Sequence, residues 1–444
     1  MRSVRSPAGA TRALSPVDAA GLGCALAYGG LAWLARQPGE PPLASFLGIA
    51  AGTSLLTFGL YAYLRRRPAD ALTVGRLFGW AVVFRLCGLA GGPIYEDDFY
   101  RYLWDGYRFA QAGTPYGVAP EAFFTDPTVP AAFQRILDQV NYPELPTIYG
   151  PVTELLFLAA YGLRPGSVAA LQILVVIVDL VAVGLLLRLA PPRAVLLYAW
   201  CPLVIKEVAF TAHPDIAAVG LLLGAVALGR RDRLRAAAVC LGLAVGAKVL
   251  AALLVPFVLV RARPSDWAVF AAVLAALYAP FVWQGGTDLA TLLVFAREWE
   301  FNAAVFGLLS PWMPAPLARA ACGAALACGL AWYYARYRKE PATVPRGDWI
   351  YGALLALWPV VNPWYLLWLL PFAAIRPSAW AWTASVAVLL AYVTGLNLDD
   401  LHMEPFAHPA WVRPVEYGLI LLALAYDARR SALRRSVRPA PEGA

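Results

Sequence analysis

The feature that most constrains this chain is a series of apolar runs, 166–188, 234–260 and 379–397 among them, each interrupted by no more than two charged residues. A helix needs about 20 residues to cross the ~30 Å hydrocarbon core of a bilayer, and each run is close to that length or beyond it. A transmembrane β-barrel would need period-two alternation, which these runs lack. The whole composition agrees: 60% of the 444 residues are hydrophobic and 14% charged, against roughly half and a quarter in soluble domains. The fold class expected is an all-α polytopic membrane protein.

The formal charge of +8 does not point to nucleic acid, because the cations sit in short loops between apolar runs and at the two ends. The N-terminal arginines, Arg65–Arg67, Arg188, Arg193, Arg230, Arg231, Arg233, Arg261, Arg263, Arg336, Arg338, Lys339, Arg376 and the Arg429–Arg435 tail are then cytoplasmic. In that register the spans read 17–36, 43–64, 74–91, 166–188, 193–209, 214–229, 234–247, 249–261, 266–283, 315–336, 349–361, 363–376, 379–397 and 412–428. That is a bundle of about 12–14 transmembrane helices with both termini in the cytoplasm. Segments 249–261 and 363–376 are short and carry Pro, as broken or re-entrant helices do where they line protein or a cavity. The basic N-terminus precedes an apolar stretch without a small-residue cleavage site, so it reads as a retained signal-anchor. The six cysteines lie in apolar segments without CxxC spacing, which implies neither a disulfide framework nor a zinc site.

Residues 92–165 break the pattern. They form a stretch of about 70 residues, polar at its start and Pro-rich, and connections of that length are usually functional. It lies on the non-cytoplasmic side. Its end, 151–163, is too short to span and reads as a helix in the interface plane. No linker or repeat divides the chain, so 1–444 is expected to be one domain, with 92–165 as its external loop.

The string Tyr95-Glu96-Asp97-Asp98-Phe99-Tyr100-Arg101-Tyr102-Leu103-Trp104-Asp105-Gly106 places three adjacent carboxylates at the membrane boundary. Helical spacing would set Asp98, Arg101, Asp105 and Arg108 on one face, the pattern of a self-paired, solvated stripe. Against that plain reading, partial burial and adjacent like charge both raise a carboxylate's pKa, as a general base requires. Other ionisable and aromatic groups gather on the same side: Lys206, Glu207, His213 and Asp215 in KEVAFTAHPD, Arg297, Glu298, Glu300 and Asn302 in REWEFN, and Asn362, Trp364 and Tyr365 in NPWYLLW. A polar cavity at the membrane surface needs contributions from several helices, and these clusters supply them. Lys248 and Arg85 are intramembrane cations, costly unless paired or functional. Either suits a phosphate, or Asp179 pairs with one of them.

The strings EDDFYRYLWDGYRFAQAGTPYGVAP, NYPELPTIYGPVTELLF, KEVAFTAHPD, GAKVLAALLVPFVLV and NPWYLLWLLPF resemble the GT-C superfamily of integral-membrane glycosyltransferases, and within it bacterial polyprenyl-phosphate-mannose-dependent mannosyltransferases. The resemblance runs from about residue 90 to 375. It implies a lipid-phosphate sugar donor, a glycan or lipid acceptor, an active site facing the periplasm or exterior of the inner (plasma) membrane, and an essential acid in the first external loop. That acid falls on Asp97-Asp98, with Asp98 as base and Asp97 orienting the acceptor or holding a metal. Some members of the superfamily use a divalent cation, Mg or Mn, and others none. Arg101, Asp105, Tyr149, Lys206, His213, Asp215, Lys248 and Arg297 are the donor-phosphate or substrate-binding candidates. The family's loop commonly closes on Tyr-Pro-Pro, whereas this chain has Tyr149-Gly150-Pro151. Mannose rests on the likeness, with glucose, galactose and arabinose open.

A base for the acceptor hydroxyl and a cation for the departing phosphate suffice for single displacement with inversion. A glycoside hydrolase instead needs two carboxylates flanking the bond. A transporter or flippase is the main rival, but such folds show internally repeated halves with charges near the midplane. The other is a non-catalytic partner that keeps the fold.

Overall fold

A computed structural model describes residues 14–342 and 344–436, with side chains through Leu433. The N-terminal arginines and the side chains of Arg434 and Arg435 lie outside these described residues. Among the described residues every regular element is helical, and the only extended pairing is an isolated bridge between Phe301 and Val360.

Three helices lead in: α1 (Pro16–Leu34), α2 (Leu43–Leu64) and α3 (Val74–Gly91). Their ends are written in the sequence. Ser15 and Thr73 accept hydrogen bonds from the amides of Asp18 and Arg76, at 3.1 and 3.2 Å, satisfying first-turn donors. Gly92, at φ +90°, ends α3. The 92–165 segment folds into α4 (Phe99–Ala112), α5 (Ala131–Leu137) and α6 (Pro151–Leu163). The last is a short apolar helix over the 151–163 stretch expected to be helical. Gly106 lets α4 lie on α6: a β-carbon there would stand 2.6 Å from the Phe157 carbonyl oxygen.

Next come α7 (Val168–Leu186), α8 (Pro192–Ala199), α9 (Pro202–Phe210), α10 (Asp215–Gly229), α11 (Leu234–Ala247) and α12 (Val249–Val258). These pack into a dense core around Trp200, Tyr198, Phe210 and Leu222. α13 (Pro264–Trp283), α14 (Leu289–Glu298), α15 (Val305–Leu309) and α16 (Ala315–Tyr337) follow, the long α13 and α16 being mostly uncovered by protein. The chain closes with α17 (Gly347–Leu357), a 3₁₀ segment (Pro363–Trp368), α18 (Leu370–Ile375), α19 (Ala379–Tyr392), α20 (Gly395–Leu398) and α21 (Val412–Ser436).

Six of these, α1, α2, the helical stretch Ala69–Gly91 that ends in α3, α7, α13 and α16, are long and apolar enough to cross a membrane. The bent pair α9–α10 makes a seventh. Most of the other expected spans fall on shorter helices or on segments broken at Pro, such as α12 and Pro363–Ile375. Their apolar content is right, but their helices stop early. α9 and α10 meet at 118°, and this break brings most of the site together.

Candidate active site

The break is built locally. Lys206–Phe210 is π-helical, a form concentrated at functional sites. Ala212 follows at φ +57°, a left-handed conformation that non-glycine residues adopt only where surroundings enforce it. The enforcement is visible. The Thr211 amide and hydroxyl each donate to the Lys206 carbonyl at 3.0 Å, the His213 amide donates to the Glu207 carbonyl at 2.8 Å, and Gln172 of α7 donates to the Ala209 and Phe210 carbonyls at 2.9 and 2.7 Å. This turn presents Lys206, Glu207, His213 and Asp215, all buried, to one side.

Glu96, from the start of the 92–165 segment, plugs into that turn. Its carboxylate meets the Lys206 ammonium, His213 Nε2 and the Tyr392 hydroxyl. Glu207 completes the group, 3.3 Å from Lys206 Nζ, 3.5 Å from His213 Nε2 and 2.8 Å from the Tyr392 hydroxyl. The Tyr392 ring also lies under the ammonium at 4.1 Å. Burial pushes Glu96 up, but Lys206 and His213 outweigh it and hold the carboxyl below its ordinary range. The ring of His213 stacks on Trp364 at 4.1 Å, and its Nδ1 faces the Tyr102 hydroxyl at 3.2 Å. Charges buried at this depth persist only when paired. The network therefore fixes the segment before α4 against α9 and α19.

Two residues on, Asp98 differs. It is half-buried at the head of α4, and among the described residues its carboxylate has no hydrogen-bond partner. Burial pushes its pKa up to about 6, with Glu96 and Asp97 adding to the rise and His213 and Lys248 opposing it. Lys248, at the end of α11, pairs with buried Asp215 at 2.8 Å while keeping 21% of its side chain exposed. Trp368 Nε1 holds the other Asp215 oxygen at 2.7 Å. Tyr149 and Tyr365 flank the ammonium, their ring centroids 5.9 and 5.2 Å away. An unpartnered carboxylate of raised basicity thus stands near an anchored, partly open cation and aromatic walls. This arrangement can take a proton from a hydroxyl and receive a phosphate.

The remaining candidates are spread more widely. Asp97 is exposed and bonded to Asn141. Arg101 donates to the carbonyls of Asn141, Tyr142 and Leu145 at 2.8–3.0 Å, so it grips the far side of the external loop. Asp105 is buried and pushed up to about 6 by desolvation, against Arg101 and Thr147. Arg108 lies over the Phe123 ring at 3.9 Å. The charged face of α4 is accordingly not a self-paired solvated stripe. Arg297 is exposed in the last turn of α14, away from these contacts. The REWEFN group serves other packing: Glu300 pairs with Arg319 at 2.9 Å, and Asn302 donates to both Glu416 oxygens. Arg85 is enclosed by Asp179 at 2.6 Å and the Ala199 carbonyl at 2.6 Å. Of Arg85 and Lys248, only Lys248 reaches the site.

Three groups, Glu96, Glu207 and His213, offer ligand atoms within 4.8 Å of one another. The Lys206 ammonium already bonds both carboxylates, and a divalent ion would have to displace it. Asp97 belongs to no such group among the described residues. The residues as arranged do not fit a cation.

Reasoning from sequence passed over Glu96, which belongs to the acidic triplet but looks the least distinctive member of it. It also passed over Tyr392, a single tyrosine in an apolar run. The only sequence signal for Tyr392 is a hydroxyl that needs a partner where no water reaches.

No curated protein matches this chain. Residues 23–263, however, match the family model MptA_B, described as the alpha-(1->6)-mannopyranosyltransferase N-terminal domain. That stretch holds the acidic loop, the KEVAFTAHPD turn and Lys248, and it is more than half of the chain. The chain belongs to this mannosyltransferase family, and it is a membrane-embedded glycosyltransferase.

Proposed function

We propose that the protein moves mannose from a polyprenyl-phosphate-mannose donor to a glycan or lipid acceptor on the non-cytoplasmic face of the cell membrane, by single displacement with inversion at the anomeric carbon. The observation that carries this is Asp98, an unpartnered carboxylate whose pKa is pushed up to about 6 and which lies within electrostatic reach of the Lys248 ammonium. Asp98 takes the proton from the attacking acceptor hydroxyl. The acceptor oxygen bonds the anomeric carbon as the bond to the donor phosphate breaks. Lys248, held in place by Asp215, stabilises the charge that collects on the leaving phosphate. Tyr149 and Tyr365 line the sugar's approach, and the Glu96 network holds Asp98 in register. Basic loops placed on the cytoplasmic side put this surface outside.

The donor class is tested in membranes enriched in the protein. Labelled mannose is supplied as polyprenyl-phosphate-mannose or as a nucleotide sugar, with synthesis of the lipid donor blocked. Transfer from the lipid donor alone supports the reading. Direct transfer from the nucleotide sugar overturns it.

A further inference from the structure

A groove of about 710 Å³ runs along the surface between α1 and α2, lined by Leu34, Ser45, Gly48, Ile49, Gly52 and Leu56 among others. We propose that it is the seat of the donor's polyprenyl chain, a site that rests on the lipid-donor reading given above.

Three observations carry this. The first is the groove's extent. Ser45 to Leu56 spans eleven helical steps, about 16 Å at 1.5 Å per residue, which is half of a ~30 Å hydrocarbon core. Its Leu34 and Ser45 end lies beside the 35–42 connection, so it is open over one leaflet. That is the reach of a chain entering from one side of the bilayer.

The second is continuity with the site. Glu40 and Pro41, in the same connection, bind Tyr95: the Tyr95 amide donates to Glu40 Oε2 at 2.9 Å, and its hydroxyl donates to the Pro41 carbonyl at 2.6 Å. Tyr95 directly precedes Glu96. Ile49 lines both the groove and a narrower crevice formed with Tyr28, Phe46, Lys206 and others. Phe46 in turn packs on Tyr95 and Tyr392, with ring centroids 5.1 and 5.7 Å away. The outer mouth of the groove therefore abuts the segment that carries the proposed base.

The third is the groove floor. Gly48 and Gly52, one turn apart on α2, are both exposed, and an added β-carbon at either meets nothing within 4 Å. Apolar chains gain little from burial against other apolar chains in a bilayer, so close packing into a smooth channel is what selects one. Spaced glycines provide that channel.

The same glycines supply the test, because a β-carbon at either enters open space, from which a leucine side chain extends into the groove. The purified full chain in nanodiscs is labelled with a photoactivatable polyprenyl phosphate carrying no sugar, and the adduct is mapped by peptide mass spectrometry. Labelling within 43–56 that falls at least fivefold in Gly48→Leu/Gly52→Leu, and that unlabelled polyprenyl phosphate competes but bulk phospholipid does not, is the result expected. Labelling elsewhere, labelling indifferent to the leucines, or equal competition by phospholipid overturns the proposal. So does a change from dimer to monomer in the variant by native mass spectrometry, which would make the groove a contact between copies. None of these readouts needs sugar transfer, so a failure of the donor reading remains distinguishable from a failure of the groove.

Discussion

If Asp98 is the base, turnover must follow its ionisation, and the pH profile is the place to look. The pKa of about 6 leaves about 9% of the carboxylate ionised at pH 5 and about 91% at pH 7, whereas an ordinary aspartate would be over 90% ionised at both. Single-turnover mannosyl transfer in proteoliposomes should therefore fall roughly tenfold from its plateau by pH 5. The neighbours set the direction of further shifts. Lys248 lowers the Asp98 pKa and Asp97 raises it, so Lys248→Met should move the inflection to higher pH and Asp97→Asn to lower pH, whatever each does to the plateau. The raised value also bears on stability. A carboxyl with a folded pKa above its unfolded value of 3.8 costs nothing below about pH 4 and exacts its full penalty above about pH 6. After discounting for partial exposure that penalty is on the order of 1–3 kcal/mol. Asp98→Asn should accordingly melt higher than wild type at pH 7.5 and equal to it near pH 4. A profile flat to pH 5, or inflections that ignore both neighbours, would refute the reasoning.

Other consequences follow from the same contacts. Lys248→Met should lower the plateau rate about 10²–10³-fold, the usual cost of removing one charge-stabilising group, and a labelled-mannose assay at matched expression reads it. Arg85→Met should cost about 3–5 kcal/mol by stranding Asp179, and Arg85→Met/Asp179→Leu should recover most of the melting temperature with transfer intact, since this pair holds helices together and touches no substrate. Tyr392→Phe leaves Glu96, Glu207 and Lys206 without a shared hydroxyl and should reduce kcat more than KM by loosening the segment that carries Asp98. Arg297→Ala should change transfer less than twofold, because Arg297 is exposed and outside the cluster.

What the sequence made legible was chemistry concentrated by type. Apolar runs specified a membrane-embedded helical chain, and the EDD string with KEVAFTAHPD and NPWYLLW marked three segments that the fold does bring together. That 151–163 forms a helix too short to span was readable from its length alone. Helix ends inside apolar stretches were not, because α12 and Pro363–Ile375 are as hydrophobic as full spans and only backbone breaks distinguish them. Partner choice was also hidden. Arg101 and Lys248 are both cations near the acidic loop, yet one is consumed by loop carbonyls and the other faces the site, a difference decided by tertiary packing. Glu96 illustrates the same limit. Within one triplet of acids, the first is locked into a network, the second is exposed and the third is left free.

The most direct test of the central claim is transfer of labelled mannose from polyprenyl-phosphate-mannose by wild type, Asp98→Asn, Asp97→Asn and Asp105→Asn, reconstituted at equal amounts and folded to equal yield. A general base contributes about 10²–10⁴-fold. The account predicts a loss of at least a hundredfold in Asp98→Asn, with Asp97→Asn and Asp105→Asn retaining measurable transfer. Near-wild-type transfer by Asp98→Asn would contradict it.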